Sequence, residues 1–204
     1  MARTQAADFD KRRESIMETA AGLYARKGFL GASVAEIAAA CETSKSLIYH
    51  YYPSKEDILF DVMDSHVQSL TEAARIIDET EDDPSEKVRR IAAALMVLYA
   101  GHEANQKVLL NELSNLPLDR RTVIVDHQRQ LLDLMDAVLL SLRPDLDNDR
   151  PRRRALVMMF FGMLNWTHTW FDPAGPVKNS EIADIASGMF LAGLEKRAPT
   201  DTAE

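Results

Sequence analysis

Lys45, Ser46, Leu47, Tyr49 and His50 fall within one short stretch that opens at Ser44 and ends ahead of Pro53. Their chemistry suits a nucleic-acid duplex. An ammonium can donate to a guanine edge, a branched alkyl group can pack on a thymine methyl, and phenol, imidazole and hydroxyl groups can donate to phosphate. Such side chains reach base edges only when a helix carries them into the major groove. The flanking residues supply one: Ser44 is a helix-capping residue, and the residue ahead of a proline avoids helical backbone, so the helix stops before Pro53. Ahead of it a second short helix opens at Ser33, where Glu36 completes a Ser-x-x-Glu capping box and Val34, Ile37, Ala38 and Cys41 face inward. Two short helices joined by a three- or four-residue turn, the second with a polar outer face, have the layout of a helix-turn-helix.

The rest of the chain must position this pair. Helical periodicity predicts a first helix over about Asp10 to Lys27, with Ile16, Ala20, Leu23 and Tyr24 inward and Gly28 as a left-handed stop. Ser54 and Asp57 cap a further helix striped by Leu59, Val62, Met63, His66, Leu70, Ala73 and Ile77. Asp83-Pro84-Ser85-Glu86 starts the next, as a cap, a first-turn proline and a capping acid in succession. A short helix over about 105–115, a long one from Asp119 to Leu142, one from Pro151 to Phe171 and a last one from Asn179 or Ser180 to before Pro199 complete the pattern. No alternation of the β type persists. The expected fold class is all-α with about nine helices: a three-helix head, residues 1–55, and a helical body, residues 56–204.

The helix over 151–171 is apolar on every side from Leu156 to Trp170, and such a helix must be covered on every side. In a six-helix body that requires an internal cavity, a second subunit or both. The last helix offers Ile182, Ile185, Met189, Phe190 and Leu194, with Gly188 and Gly193 permitting close approach. These two helices from each of two subunits would make a self-complementary four-helix interface, the expected homodimer. The alternative is the central core helix of a monomer.

The formal charge of −8 is unevenly spread. Residues 1–55 hold eight Lys and Arg against six acids, so the remainder carries −10. A mildly basic head on an acidic body turns the head toward phosphate. Cys41 is the lone cysteine, which excludes an intramolecular disulfide and fits a reducing cytoplasm. The N-terminus lacks the apolar core of a signal peptide, and the longest apolar run, Ala155 to Leu164, is about half of what spans a bilayer. No membrane partner is expected. The five histidines show no metal-ligand spacing, and neither a Gly-rich phosphate loop nor a Gly-x-Ser-x-Gly elbow occurs. No enzyme, cofactor or metal site is expected.

Gly28-Phe29, Ser33-Val34-Ala-Glu-Ile37-Ala38 and Ser44-Lys45-Ser-Leu-Ile-Tyr49-His50-Tyr51-Tyr52-Pro-Ser-Lys55-Glu56 together resemble the N-terminal domain of TetR-family transcriptional regulators, without a gap over about residues 10–60. The resemblance implies an all-helical homodimer that binds palindromic operator DNA, acts as a repressor, and is released by a small molecule held in the C-terminal body. It makes Tyr49 and His50 the phosphate-contacting pair, Lys55 the backbone-clamping lysine and Tyr52 a core residue. With Ser33, Ser44, Lys45, Ser46 and Leu47 these complete the expected DNA-binding set. Ser33 and Ser44 are caps, and capped helix N-termini also face phosphate. Arg12 and Arg13 are either solvated or in reach of the duplex. Two positions depart from the family: Ala32 stands where many members have Thr, and Glu42 stands where the turn usually has Gly.

Asn165-Trp166-Thr-His-Thr-Trp170-Phe-Asp-Pro-Ala-Gly175-Pro176, followed by Glu181-Ile182-Ala183, resembles the members that sense acyl-CoA thioesters. An acyl-CoA effector is the resulting expectation, with an amphipathic drug or aromatic compound as the alternative. A helical adaptor that binds only protein would leave the composition of the 44–52 helix unexplained. Candidate pocket residues are Met96, Tyr99, Asn165, Trp166 and Trp170. Asn165, polar within an apolar run, needs a hydrogen-bond partner, either a ligand or a neighbouring helix. Arg150, Arg152, Arg153 and Arg154 are either a solvated cluster or a cradle for CoA phosphates.

Overall fold

The computed structural model describes residues 2–195, with side chains from Phe9 onward. Among the described residues there are nine α-helices and no strand, as the periodicity predicts. They are α1 (Ala2–Gly31), α2 (Val34–Ala40), α3 (Lys45–Tyr51), α4 (Lys55–Thr80), α5 (Pro84–Gly101), α6 (Glu103–Asn111), α7 (Leu118–Leu142), α8 (Arg150–Asn165) and α9 (Asn179–Leu194). None is long and apolar enough to cross a membrane. The described residues divide into two compact units, one holding those up to Thr71 together with Gly101–Arg129, the other Glu72–Ala100 together with those from Gln130 to Glu195.

In the first unit α1 buries Ile16, Ala20, Leu23 and Tyr24, the stripe read from the sequence. α1 begins about two turns earlier than expected and breaks at Gly28, whose φ of 73° and ψ of 160° give an extended positive-φ corner rather than a left-handed helical turn. Beyond it lie α2 and α3, which bury Ile37, Ala38 and Ile48. Tyr52 is the core residue of the tyrosine pair at 2 % exposure. Its hydroxyl donates to Asp61 Oδ2 at 2.8 Å, and Arg13 pairs with the same oxygen at 2.7 Å while lying 5.3 Å from the Tyr52 ring centroid. Arg13 therefore latches α1 to α3 and α4. Burial, then the Asp61 carboxylate, push the Tyr52 phenol pKa well up.

α6 packs along α1 in the same unit. It also contributes Gln106, whose Oε1 lies 2.8 Å from His66 Nε2 of α4, with both side chains buried. Burial holds the His66 pKa down at about 4 despite the bond to Gln106, so the imidazole is neutral at physiological pH and Nε2 is the donor.

In the second unit α8 packs on α9, with Val157, Phe160, Phe161 and Leu164 buried on one and Ala183, Ala186, Phe190 and Leu194 on the other. One expectation is corrected here. The helix does not run to Phe171. It stops at Asn165 and gives way to a 3-10 turn over Trp166–Thr169, because the following side chains capture its carbonyls. Thr167 Oγ1 donates to Leu164 O at 2.6 Å, His168 Nδ1 lies 2.7 Å from Asn165 O, and Thr169 Oγ1 donates to Trp166 O at 2.8 Å. Within one chain α8 is not covered on every side, unlike the central core helix of a monomer that was the alternative reading. Met158 and Met159 are exposed, as are Ile185 and Met189 on α9, and open space surrounds Gly162 and Gly188.

Candidate nucleic-acid interface and effector region

The turn between α2 and α3 is built by backbone hydrogen bonds. Thr43 N donates to Ala38 O at 2.9 Å and Glu42 N to Ala39 O at 3.1 Å, the paired closure of a Schellman motif. Its left-handed position is Glu42, with φ 52°, where glycine is the usual occupant. Cys41, expected on the inward face, is the C-cap and only half-buried. The turn aims α3, and Ser44 starts it: Ser44 Oγ accepts from Leu47 N at 3.2 Å.

With about 100° per residue, Lys45, Ser46, Tyr49 and His50 lie within an arc of roughly 140°, and all four are exposed. Leu47 is half-buried beside them, and Ile48 is fully buried on the opposite side. The core thus fixes which side of α3 faces out, and that side is the polar one. Ser33 opens α2 through the full capping box. Its Oγ accepts from Glu36 N at 3.2 Å and its N–H donates to Glu36 Oε2 at 2.9 Å. Lys27 pairs with the same carboxylate, and its hydrogen bond, followed by those from Ser33, lowers the Glu36 pKa to about 2.

Lys55 is not laid out on that face. Its ammonium donates to Phe29 O at 2.6 Å and Ala32 O at 2.8 Å and sits 4.0 Å from the Phe29 ring centroid. It ties the start of α4 to the corner between α1 and α2 that presents Ser33. Ala32 is itself buried at this corner. One contact was missed in the sequence: Phe9 of α1 lies with its ring centroid 4.6 Å from Tyr51 and 6.3 Å from His50. Phe9 is seven residues ahead of Ile16, two helical turns along the same stripe, and that spacing is a signal that places it on the same helix.

In the second unit, Tyr99 Oη donates to Asn165 Oδ1 at 2.8 Å, and Met96 Sδ lies 4.0 Å from Thr167 Oγ1. Met96, Tyr99 and Asn165 are thus brought together where α5 meets the end of α8. Trp166 and Trp170 are not in that group; they are 66 % and 58 % exposed. Arg153 of the arginine cluster is buried, donating through Nε to Asp136 and through its terminal nitrogen to Leu146 O and Asp147 O at 2.8 and 2.6 Å. Arg154 pairs with Asp133 at 3.5 Å. A cleft of about 550 Å³ not singled out from the sequence lies between Arg89, Arg143, Asp145 and Leu191.

The family described as bacterial regulatory proteins, tetR family, matches residues 16–62, and that described as tetracyclin repressor-like, C-terminal domain, matches residues 81–194. The chain belongs to the TetR family. Among solved TetR-family structures, a regulator from Bordetella parapertussis is 37 % identical with a TM-score of 0.85, covering 88 % of this chain and 93 % of that one. AibR in complex with isovaleryl coenzyme A and operator DNA is 29 % identical with a TM-score of 0.76, covering 87 % of this chain and 97 % of its own. The repressor KstR2 of Mycobacterium tuberculosis is 25 % identical over 199 residues, covering 94 % of this chain and 96 % of that protein. The TetR-family helix-turn-helix is a DNA-binding element, so this chain is a TetR-family transcriptional regulator.

Proposed function

We propose that the chain is a cytoplasmic repressor that binds a palindromic operator as a homodimer and is released by an acyl-CoA thioester. Residues 1–55 form the DNA-binding head and residues 56–204 the ligand-binding and dimerisation body. The observation that carries the reading is the exposed polar arc of α3 set on a Ser44 cap and pinned by Ile48. Lys45, Ser46 and Leu47 contact bases, while Tyr49, His50 and the N-termini capped by Ser33 and Ser44 contact phosphates. Lys55 contributes by holding the α1–α2 corner, with one of its three N–H groups left over for phosphate.

The exposed stripe of Met158, Met159, Ile185 and Met189 with Gly162 and Gly188 supports self-association through α8 and α9. The AibR complex, which holds both an acyl-CoA and operator DNA, supports the effector class. The acyl part would lie beside Met96, Tyr99 and Asn165, with Trp166 and Trp170 at the outer edge. Release is then a population shift: a tenfold loss of operator affinity needs about 1.4 kcal/mol of differential binding. Fluorescence anisotropy of labelled operator, titrated with short-chain acyl-CoAs and with the matching free acids, tests this. Release by the thioesters alone is expected. Release by free acids or aromatic compounds alone overturns the acyl-CoA assignment, and the same operator affinity for Lys45→Ala as for wild type overturns the assignment of α3.

A further inference from the structure

We infer that Phe9, on the N-terminal turns of α1, is a positioning residue for operator binding: its ring orients His50 on the last turn of the recognition helix. The inference rests on the reading of α3 given above, and it adds a residue that lies ahead of the helix-turn-helix and outside its exposed arc.

The need for such a residue follows from the size of α3. It has seven residues, and its only fully buried side chain is Ile48. Tyr52 anchors the chain just after the helix through Asp61. Ile48 and Tyr52 hold one side, whereas His50 and Tyr51 project elsewhere, on a turn whose end is the C-cap Tyr52. An exposed imidazole on the last turn of a helix samples several rotamers, and each must be given up when it meets phosphate. Phe9 supplies the missing constraint. Its ring lies 4.6 Å from the Tyr51 centroid at 35° and 6.3 Å from the His50 centroid at 79°, and the His50 and Tyr51 rings are 5.3 Å apart at 85°. The three rings form a closed cluster in which the two contacts of His50 are edge-to-face. Edge-to-face pairs are directional because ring quadrupoles favour them. Tyr51 is half-buried, so it serves as the middle of the cluster, while His50 stays exposed at its rim.

Phe9 is itself 39 % exposed, an unusual setting for a phenylalanine whose role is core packing. It sits two turns before Ile16 on α1, and Arg13, one turn on, takes the Tyr52 side of α3. Consecutive turns of α1 thus hold the two aromatic residues that end α3: Phe9 holds Tyr51 with His50, and Arg13 holds Tyr52.

The test is a double-mutant cycle on operator affinity, measured on the full-length protein with the selected operator. Phe9→Ala should weaken binding roughly three- to tenfold, in line with the strength of aromatic pairs, without change in thermal midpoint beyond a few degrees. Phe9→Tyr, which keeps the ring, should restore affinity, and Phe9→Leu, which keeps only apolar bulk, should not. In the His50→Ala background Phe9→Ala should cost nothing further, whereas in the Lys45→Ala background it should cost its full factor. Equal additivity with His50→Ala and Lys45→Ala overturns the inference, as does full rescue by Phe9→Leu. An unchanged affinity for Phe9→Ala alongside weakened Lys45→Ala overturns the inference and leaves the α3 assignment intact. No loss from Lys45→Ala would overturn that assignment and this one with it.

Discussion

Replacing Glu42 by glycine should stabilise the protein. Glu42 occupies the left-handed position of the Schellman turn, with φ 52°, is exposed, and its backbone N–H and that of Thr43 close the end of α2. For a residue with a Cβ that conformation costs about 1–2 kcal/mol. Glycine removes the cost but brings a more flexible unfolded chain, which offsets about 0.4–1 kcal/mol. The net gain for Glu42→Gly is on the order of 0.5–1 kcal/mol, or about 1–4 °C in thermal midpoint for a chain of this length. Thermal unfolding followed by circular dichroism, at matched protein concentration because association contributes to apparent stability, measures it. Glu42→Ala is the control. Alanine discards the carboxylate and keeps the Cβ, so it should bring no gain. A rise in midpoint for alanine equal to that for glycine would refute the backbone argument and make the carboxylate the source of the strain. A fall for glycine would show that the turn is not strained at all.

Two further outcomes follow from the same geometry. Met189→Arg places a charge on the exposed face of α9 and should yield a monomer at micromolar concentration in sedimentation, with helical content retained; a wild-type protein that already sediments as a monomer refutes the interface. Leu191 is the weaker probe, since it lines the cleft beside Arg143 rather than the exposed stripe. His66 should make stability depend on pH. Its folded pKa of about 4 lies below the ordinary value of 6.5, so protons bind the unfolded chain more readily and stability falls as pH drops from about 6.5 to about 4. The full loss is on the order of 3 kcal/mol. His66→Gln, which places a non-titrating amide opposite Gln106, should flatten urea-unfolding stability over that window; an unchanged slope would place the dependence elsewhere.

Local signals carried most of the fold into the sequence. Caps act over three or four residues, so Ser33 with Glu36, Ser44 and Asp83-Pro84 located their helix starts directly, while Gly28 marked a break inside α1 rather than its last residue. The end of α8 was hidden because apolar residues continue through Trp170, whereas termination comes from hydroxyl and imidazole groups of Thr167, His168 and Thr169 turning onto carbonyls. The outer face of α3 was legible from Lys45, Ser46, Tyr49 and His50, whereas the burial of Ile48 on the other side came with the structure. The direction of the Lys55 ammonium and the burial of Arg153 beside Asp136 were not legible, because each depends on carbonyls or carboxylates brought in from distant parts of the chain. Tyr99 as the partner of Asn165 is of the same kind, a pairing across 66 residues.

Six of the nine methionines fall into two groups of opposite access. Met63, Met96 and Met135 are sealed in the core, whereas Met158, Met159 and Met189 lie open on the α8 and α9 faces of a single chain. Thioethers oxidise to sulfoxides in proportion to their access, and a sulfoxide makes an apolar surface polar. Mild peroxide therefore acts as a footprint of self-association: the second group should be oxidised in dilute protein and spared as concentration rises, while the first stays reduced throughout. Oxidative damage to a purified sample would then erode the α8–α9 face before it touches the fold.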